Sequence, residues 1–328
     1  MNNQTKAFLK KHWFLLVMAL MLVLAVLFPQ WGSRLNPKKS TATGMVIALF
    51  FLSGLSLPTE TLKEGMKDVR LHLFIQFFVY IVTPLFFFLT AFPFKETMGG
   101  QLIIGIYALA VLPTTVSSCI VFTQVSGGNT IGAVFNASLS NLSGIFISPL
   151  LLTLFLNTSG TPMPMEELVR IFQGLAIKML TPFVIGQGLH IAFKKFALRN
   201  KKKFGIISNI FVLCIIFFGV AGSMENEALQ TYWKDLIIPF IYLAISHLIL
   251  LFLAYSGARF IGLSRENIIT TLYTAPQKTL AMGIPLLSTY FASQPELMGI
   301  AIIPVLIYHP WQLFIAGLLK NTSIMKPD

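Results

Sequence analysis

The sequence predicts an all-α polytopic membrane protein, and three observations predict it. Of its 328 residues, 55% are hydrophobic and only 11% are charged, where a soluble chain of this length carries about 25% charged residues. The apolar residues gather into stretches of about 20, the length that crosses a bilayer. The charges gather between those stretches: every Asp and Glu lies near a segment end or in a loop. The net charge of +12 fits cytoplasmic membrane loops, which collect Lys and Arg, and no nucleic-acid partner is expected. Cys119 and Cys214 lie inside apolar stretches and suggest neither a disulfide framework nor a metal cluster. No nucleophile–base pair is visible, so no enzyme is expected.

Taken in order, segments 13–30, 43–58, 71–93, 101–126, 131–156, 168–192, 204–223, 235–258, 266–291 and 297–319 make ten expected spans. The first ends near Pro29-Gln30-Trp31; it is too long for a signal h-region and shows no small-residue cleavage site. The fourth and ninth are interrupted, by Pro113 and Pro276. Orientation follows from basic residues. With the N-terminus in the cytoplasm, sixteen Lys and Arg fall inside and six outside, and Lys178 and Lys278 fall within spans. Both termini are therefore expected in the cytoplasm, and the lipid bilayer is the expected surrounding.

The chain also looks duplicated. Pro113 and Pro276 are 163 residues apart, and half the chain is 164. Each breaks the fourth span of a five-span half, giving repeats at 1–160 and 161–328 around the turn-rich Thr158-Ser159-Gly160-Thr161-Pro162-Met163-Pro164. Five is odd, so the second half enters the membrane inverted. Paired broken segments in inverted repeats point to a binding site at the midplane.

Polar groups in hydrocarbon need partners, and they cluster here. The first broken span carries Pro113-Thr114-Thr115-Val116-Ser117-Ser118-Cys119, and the next carries Asn136, Ser138, Ser140, Asn141 and Ser143. Such side chains line a wet site, or they bond packed helices to one another. Lys278, in Thr274-Ala275-Pro276-Gln277-Lys278-Thr279, is the most informative residue. An ammonium at mid-membrane costs roughly 2.5–3.5 kcal/mol on insertion scales, so it marks a functional site by default. No deep carboxylate pairs with it; the other deep ionisable groups are Lys178, His247 and His309, with His190 near a span end. Lys178 is a second candidate, or a lysine snorkelling along its helix. His309 is a protonatable candidate or a packing residue.

Several of these features together resemble one family. They are Gly54-Leu55-Ser56-Leu57 followed by Thr61-Leu62-Lys63, the Pro113 break with Ser117-Ser118, the turn Gly127-Gly128-Asn129, the polar fifth span, and the Pro276 segment. Over essentially the whole chain they resemble the bile acid:sodium symporter family, and most closely its divergent orphan branch. That resemblance implies ten spans in two inverted five-helix repeats. Spans 1, 2, 6 and 7 would form a panel domain and spans 3–5 and 8–10 a core, with two broken helices crossing in the core. A small organic, amphipathic anion would enter between the domains. The expected location is a bacterial inner membrane.

Carried over residue by residue, the resemblance is incomplete. The family's first broken helix ends its motif in Ser-Asn, both sodium ligands; here the positions are Ser118 and Cys119, and a thiol is a poor ligand for a hard cation. The second broken helix follows Glu-x-Gly-x-Gln-Asn. Here the bridging Glu becomes Thr274, the sodium-binding Gln becomes Lys278, and Pro276, Gln277 and Thr279 fill the rest. The comparison implies that Lys278 occupies a sodium position, with helix-end carbonyls and the hydroxyls of Thr114, Thr115, Ser117 and Ser118 as partners. It then holds the crossing by a permanent charge, or its proton replaces sodium as coupling ion. A residual sodium site from Ser118, Asn136 and Gln277, with Asn141, stays open, and no other cofactor is expected. Three functions follow: organic-anion transport with altered or absent sodium coupling, sodium-coupled symport, or a regulatory protein that keeps the fold without transport.

Overall fold

The computed structural model describes residues 3–57, 65–158, 164–225, 236–320 and 322, with side chains except at 3–12 and 295–296. Among the described residues the chain forms helices and turns and no strand. The helices are α1 (Asn3–Leu27), α2 (Gln30–Leu35), α3 (Ser40–Ser56), α4 (Val69–Met98), α5 (Gly100–Val111), α6 (Ser117–Val125), α7 (Thr130–Thr158), α8 (Met165–Ala192), α9 (Lys194–Glu225), α10 (Ile237–Phe260), α11 (Arg265–Thr274), α12 (Leu280–Tyr290) and α13 (Pro295–Leu319). Parts of two sequence motifs, Thr61-Leu62-Lys63 and Ser159 to Met163 of the expected repeat boundary, lie outside the described residues.

Helix falls on all ten segments expected from the sequence, but seven of the described helices are long and apolar enough to cross a membrane as unbroken rods. The shortfall has a local cause in two cases. Leu112 precedes a proline and takes extended angles (φ −63, ψ 148), as the clash with the proline ring requires, so α5 stops and α6 begins after a break at 112–116. The second break, 275–279, separates α11 from α12. The third case is the first segment, whose apolar stretch is Trp13–Leu27.

Other prolines sit within helices without ending them, Pro149, Pro285, Pro304 and Pro310 in continuous α-helix and two more directly after π turns. In α4 the π turn Phe78–Val82 comes immediately before Thr83-Pro84, and in α8 the π turn Ala176–Leu180 comes immediately before Thr181-Pro182. Proline lacks an N–H and its ring collides with the carbonyl four residues back; at these two positions the helix widens by one residue to pass it. Helix ends carry ordinary local signals. The Asp68 carboxylate accepts from Leu71 N at 3.3 Å, and the Ser264 hydroxyl from Asn267 N at 3.3 Å, both N-cap bonds. Gly127 and Gly262 close α6 and α10 at φ +71, the left-handed geometry that glycine takes without strain.

The outer faces are apolar: Leu73, Phe77, Leu89, Ile177, Ile191 and Phe252 are all more than half exposed. A water-soluble protein would bury such side chains; here they face lipid. This is a multi-pass integral membrane protein. Inside, α3 packs on α8 and α9, and α1 on α9, while α5 packs on α4, α7 and α13 and α11 packs on α6, α7 and α10. The α3–α8 approach is close: a Cβ on Gly54 would collide with Phe183 O, and one on Gly186 with Phe51 O. His190 lies in the same seam, buried and bonded through Nδ1 to Leu55 O at 2.7 Å.

Candidate functional site

The two helix breaks meet. Thr279 N donates to Pro113 O at 3.0 Å, and Thr114 Oγ1 donates to Thr274 O at 2.5 Å. Each break thus supplies polar groups that the other needs. The neighbouring span completes the crossing. Asn141 Nδ2 donates to Thr114 O at 2.9 Å, Ser140 Oγ accepts from Thr114 N at 3.3 Å, and Tyr80 OH donates to Ser140 O.

Lys278 lies at the centre of this junction with no exposed surface. Its ammonium donates to Ala110 O at 2.7 Å, Leu112 O at 2.8 Å and Val79 O at 3.3 Å. Each carbonyl is available for a reason written in the chain. In an unbroken helix Ala110 O would bond Thr114 N, which has turned to Ser140; Leu112 O lies in the Pro113 break. In the π turn Thr83 N reaches back to Phe78 O, and the following residue, Pro84, has no N–H, so Val79 O loses its helical donor. Three proline-freed carbonyls meet the three hydrogens of one ammonium. Two of them lie at the C-terminal end of α5, where the helix dipole favours a cation.

The lysine backbone is held as firmly as its side chain. Gln312 Oε1 accepts from Lys278 N at 2.8 Å, and Gln312 Nε2 donates to Lys278 O at 2.7 Å. The second amide hydrogen of Gln312 points to His309 Nδ1 at 2.9 Å, which makes that nitrogen an acceptor. Tyr308 OH donates to Pro276 O at 2.9 Å. Of these groups the sequence singles out His309 but not Gln312, Tyr308 or Tyr80. Gln312 had a signal, an amide alone in an apolar stretch one turn after His309; the two tyrosines had none beyond their hydroxyls.

The other expected site residues divide. Pro113, Thr114, Ser140, Asn141, Thr274, Pro276 and Thr279 join the junction. Thr115 is buried beside it and its carbonyl accepts the Cys119 thiol at 2.7 Å. The four hydroxyls expected around the ammonium do not reach it. Ser117 is exposed and Ser118 half-buried, Thr114 serves Thr274, and backbone carbonyls take their place. Asn136 belongs to another cluster: its Nδ2 faces His72 Nδ1 at 2.9 Å, and its Oδ1 accepts from Gln76 Nε2 at 3.2 Å. Gln277 is 2% exposed, and neither end of its amide has a hydrogen-bond partner among the described residues; the same is true of Asn141 Oδ1. Lys178 stands apart, half-buried on the π turn of α8 against the far end of α12.

Residues 12–323 match the SBF-like CPA transporter family. The chain belongs to this family. Among its relatives, a Xenopus laevis protein named sodium/bile acid cotransporter 7-B is 33% identical over 96% of this chain and 92% of its own length. The rat sodium/bile acid cotransporter 7 is 32% identical over 95% and 92% of the two chains. The Escherichia coli putative symporter YfeH is 28% identical over 94% and 91%. As a member of the SBF-like family the chain is a membrane transporter rather than an enzyme, and the resemblance drawn from its motifs named the right group.

Proposed function

We propose that this SBF-like transporter moves an organic anion by alternating access, with sodium coupling altered or absent. The observation that carries the reading is the Lys278 ammonium, which by itself satisfies three backbone carbonyls at the crossing of the broken helices. A sodium ion there would need those same oxygens. The ammonium performs the structural task of a bound cation, and no sodium has to be taken up with the substrate to complete the junction. The reading includes ten spans in inverted halves with both termini cytoplasmic: the seven long helices, α1, and the paired segments α5–α6 and α11–α12. The grouping of α1, α3, α8 and α9 supports a panel packed beside a core that contains both breaks.

The test is uptake and thermal stability of the purified full-length protein, each titrated with sodium against potassium. Equal stability and equal uptake in the two salts are expected. Stabilisation by sodium alone would overturn the uncoupled reading. It would favour the second one, sodium-coupled symport as the relatives' names state for them. That alternative draws on the unpartnered amide oxygens of Gln277 and Asn141, which have the hardness sodium requires.

A further inference from the structure

A second polar site lies away from the crossing. Between α8 and the outer end of α12 is a cavity of about 490 Å³, within the size range of small-molecule sites. One wall presents Glu166, Glu167, Arg170 and Lys178, the two carboxylates toward the start of α8 and Lys178 deepest along it, and the other presents Thr289, Tyr290 and Ser293. Lys178 is the fourteenth residue of the 28-residue helix α8, at mid-membrane depth. Among the described residues it donates no hydrogen bond and pairs with no carboxylate. An ammonium at that depth faces a wet cavity and takes a charged or carbonyl partner; the carboxylates of the lining, Glu166 and Glu167, lie eleven or more residues back along α8, and among the described residues neither pairs with it.

The local helix geometry aims this lysine into the cavity. Residues 170, 174 and 178 are spaced by four, a step that drifts about 40° around an α-helix. The π turn Ala176–Leu180 takes up an extra residue, which offsets the drift and returns Lys178 to the face that carries Arg170. Gly174, between them, keeps that face low: a Cβ there would already touch Thr289 Cγ2 at 3.7 Å.

The opposite wall is matched to hydroxyl groups. Thr289 Oγ1 donates to Pro285 O at 3.0 Å, and Ser293 Oγ donates to Glu167 Oε1 at 3.1 Å. Both hydroxyls have spent their hydrogens and turn lone pairs to the cavity, so a ligand there must bring O–H donors. Pro164, Ile171, Ala292 and the ring of Tyr290 supply the apolar part of the lining, in small pieces between the polar groups.

We propose that this cavity binds a compact hydroxylated anion, a sugar acid or polyol phosphate in chemical class, with Lys178 contacting its negative group and Thr289 and Ser293 accepting its hydroxyls. The proposal rests on the anion-transport reading and narrows its substrate from the amphipathic class to a hydrophilic one. The test is thermal unfolding of the full-length protein in lipid nanodiscs with gluconate, glycerol 3-phosphate, neutral sorbitol or taurocholate. Gluconate or glycerol 3-phosphate should raise the unfolding temperature and sorbitol should not; which of the two acts separates carboxylate from phosphate. Lys178→Gln should weaken that binding about tenfold to a hundredfold, the worth of one charged hydrogen bond, and Lys178→Arg should restore most of it. Unchanged binding in Lys178→Gln, stabilisation by taurocholate alone, or no response to either hydroxylated anion overturns the proposal. If taurocholate is carried equally by wild type and Lys178→Gln in proteoliposomes, this site falls while the anion-transport reading stands. If no anion of either class is bound or carried, both fall.

Discussion

Lys278 has three hydrogens to give, and the fold brings it three carbonyl oxygens. Replacing it separates two effects. Lys278→Met leaves three buried acceptors without donors, each costing about 1–3 kcal/mol, whereas Lys278→Gln can still serve one or two. Lys278→Gln should therefore fold, unfold a few degrees lower, and lose transport or change its ion dependence; Lys278→Met should be less stable than Lys278→Gln. Thermal unfolding beside uptake in sodium and potassium checks this, and a Gln variant with wild-type uptake in both salts would remove the coupling role. Gln312 makes a second test. Gln312→Leu deletes both bonds to the Lys278 backbone, a loss of about 2 kcal/mol, and should lower stability and uptake together. A Leu variant as stable as wild type would show that the amide clamp contributes nothing. The lysine was legible in the sequence because a charge in hydrocarbon is conspicuous whatever surrounds it. Its partners were not, because backbone carbonyls carry no residue signature.

At the level of helices, proline does most of the shaping. Pro113 and Pro276 mark the two breaks, while Pro84 and Pro182 widen α4 and α8 into π turns. The sequence shows where the helix is disturbed but not which outcome follows. A proline here produces a break, a bulge or neither, and the freed groups at the breaks and bulges depend on neighbouring helices for partners. Pro84→Ala tests the link from element to site. With an N–H restored, α4 can close over the π turn and withdraw Val79 O from Lys278. Uptake should fall although a helix-breaking residue has been removed, and hydrogen exchange at 79–84 should slow; unchanged exchange would show that the bulge does not depend on the proline. The α3–α8 seam gives a steric counterpart. Gly54→Leu or Gly186→Leu forces two touching backbones apart, and an overpacked contact of this kind costs about 1–3 kcal/mol or more. A clear drop in unfolding temperature is expected, and a variant of wild-type stability would mean that the seam can open.

Over the whole molecule, the basic residues make the topological prediction. The run Lys194, Lys195, Arg199, Lys201, Lys202 and Lys203 at the start of α9 should face the cytoplasm, with Arg34 on the opposite side. Single cysteines at 34 and 202, placed in a variant lacking Cys119 and Cys214, should be labelled by an impermeant maleimide from opposite faces of the membrane; labelling of both from one face would overturn the inverted arrangement. What the sequence determined by itself is the solvent, the positions of the helices, the two interruptions and the buried lysine. These follow from hydrophobicity, proline and charge, which act locally and leave their mark at the residue concerned. What the tertiary structure alone decided is how those groups are satisfied. Carbonyls rather than hydroxyls hold Lys278, Gln312 from a span 34 residues away clamps its backbone, and a π turn carries Lys178 into a separate polar cavity. A hydrogen bond between distant segments depends on which helix approaches which, and that packing is settled only when every span is in place.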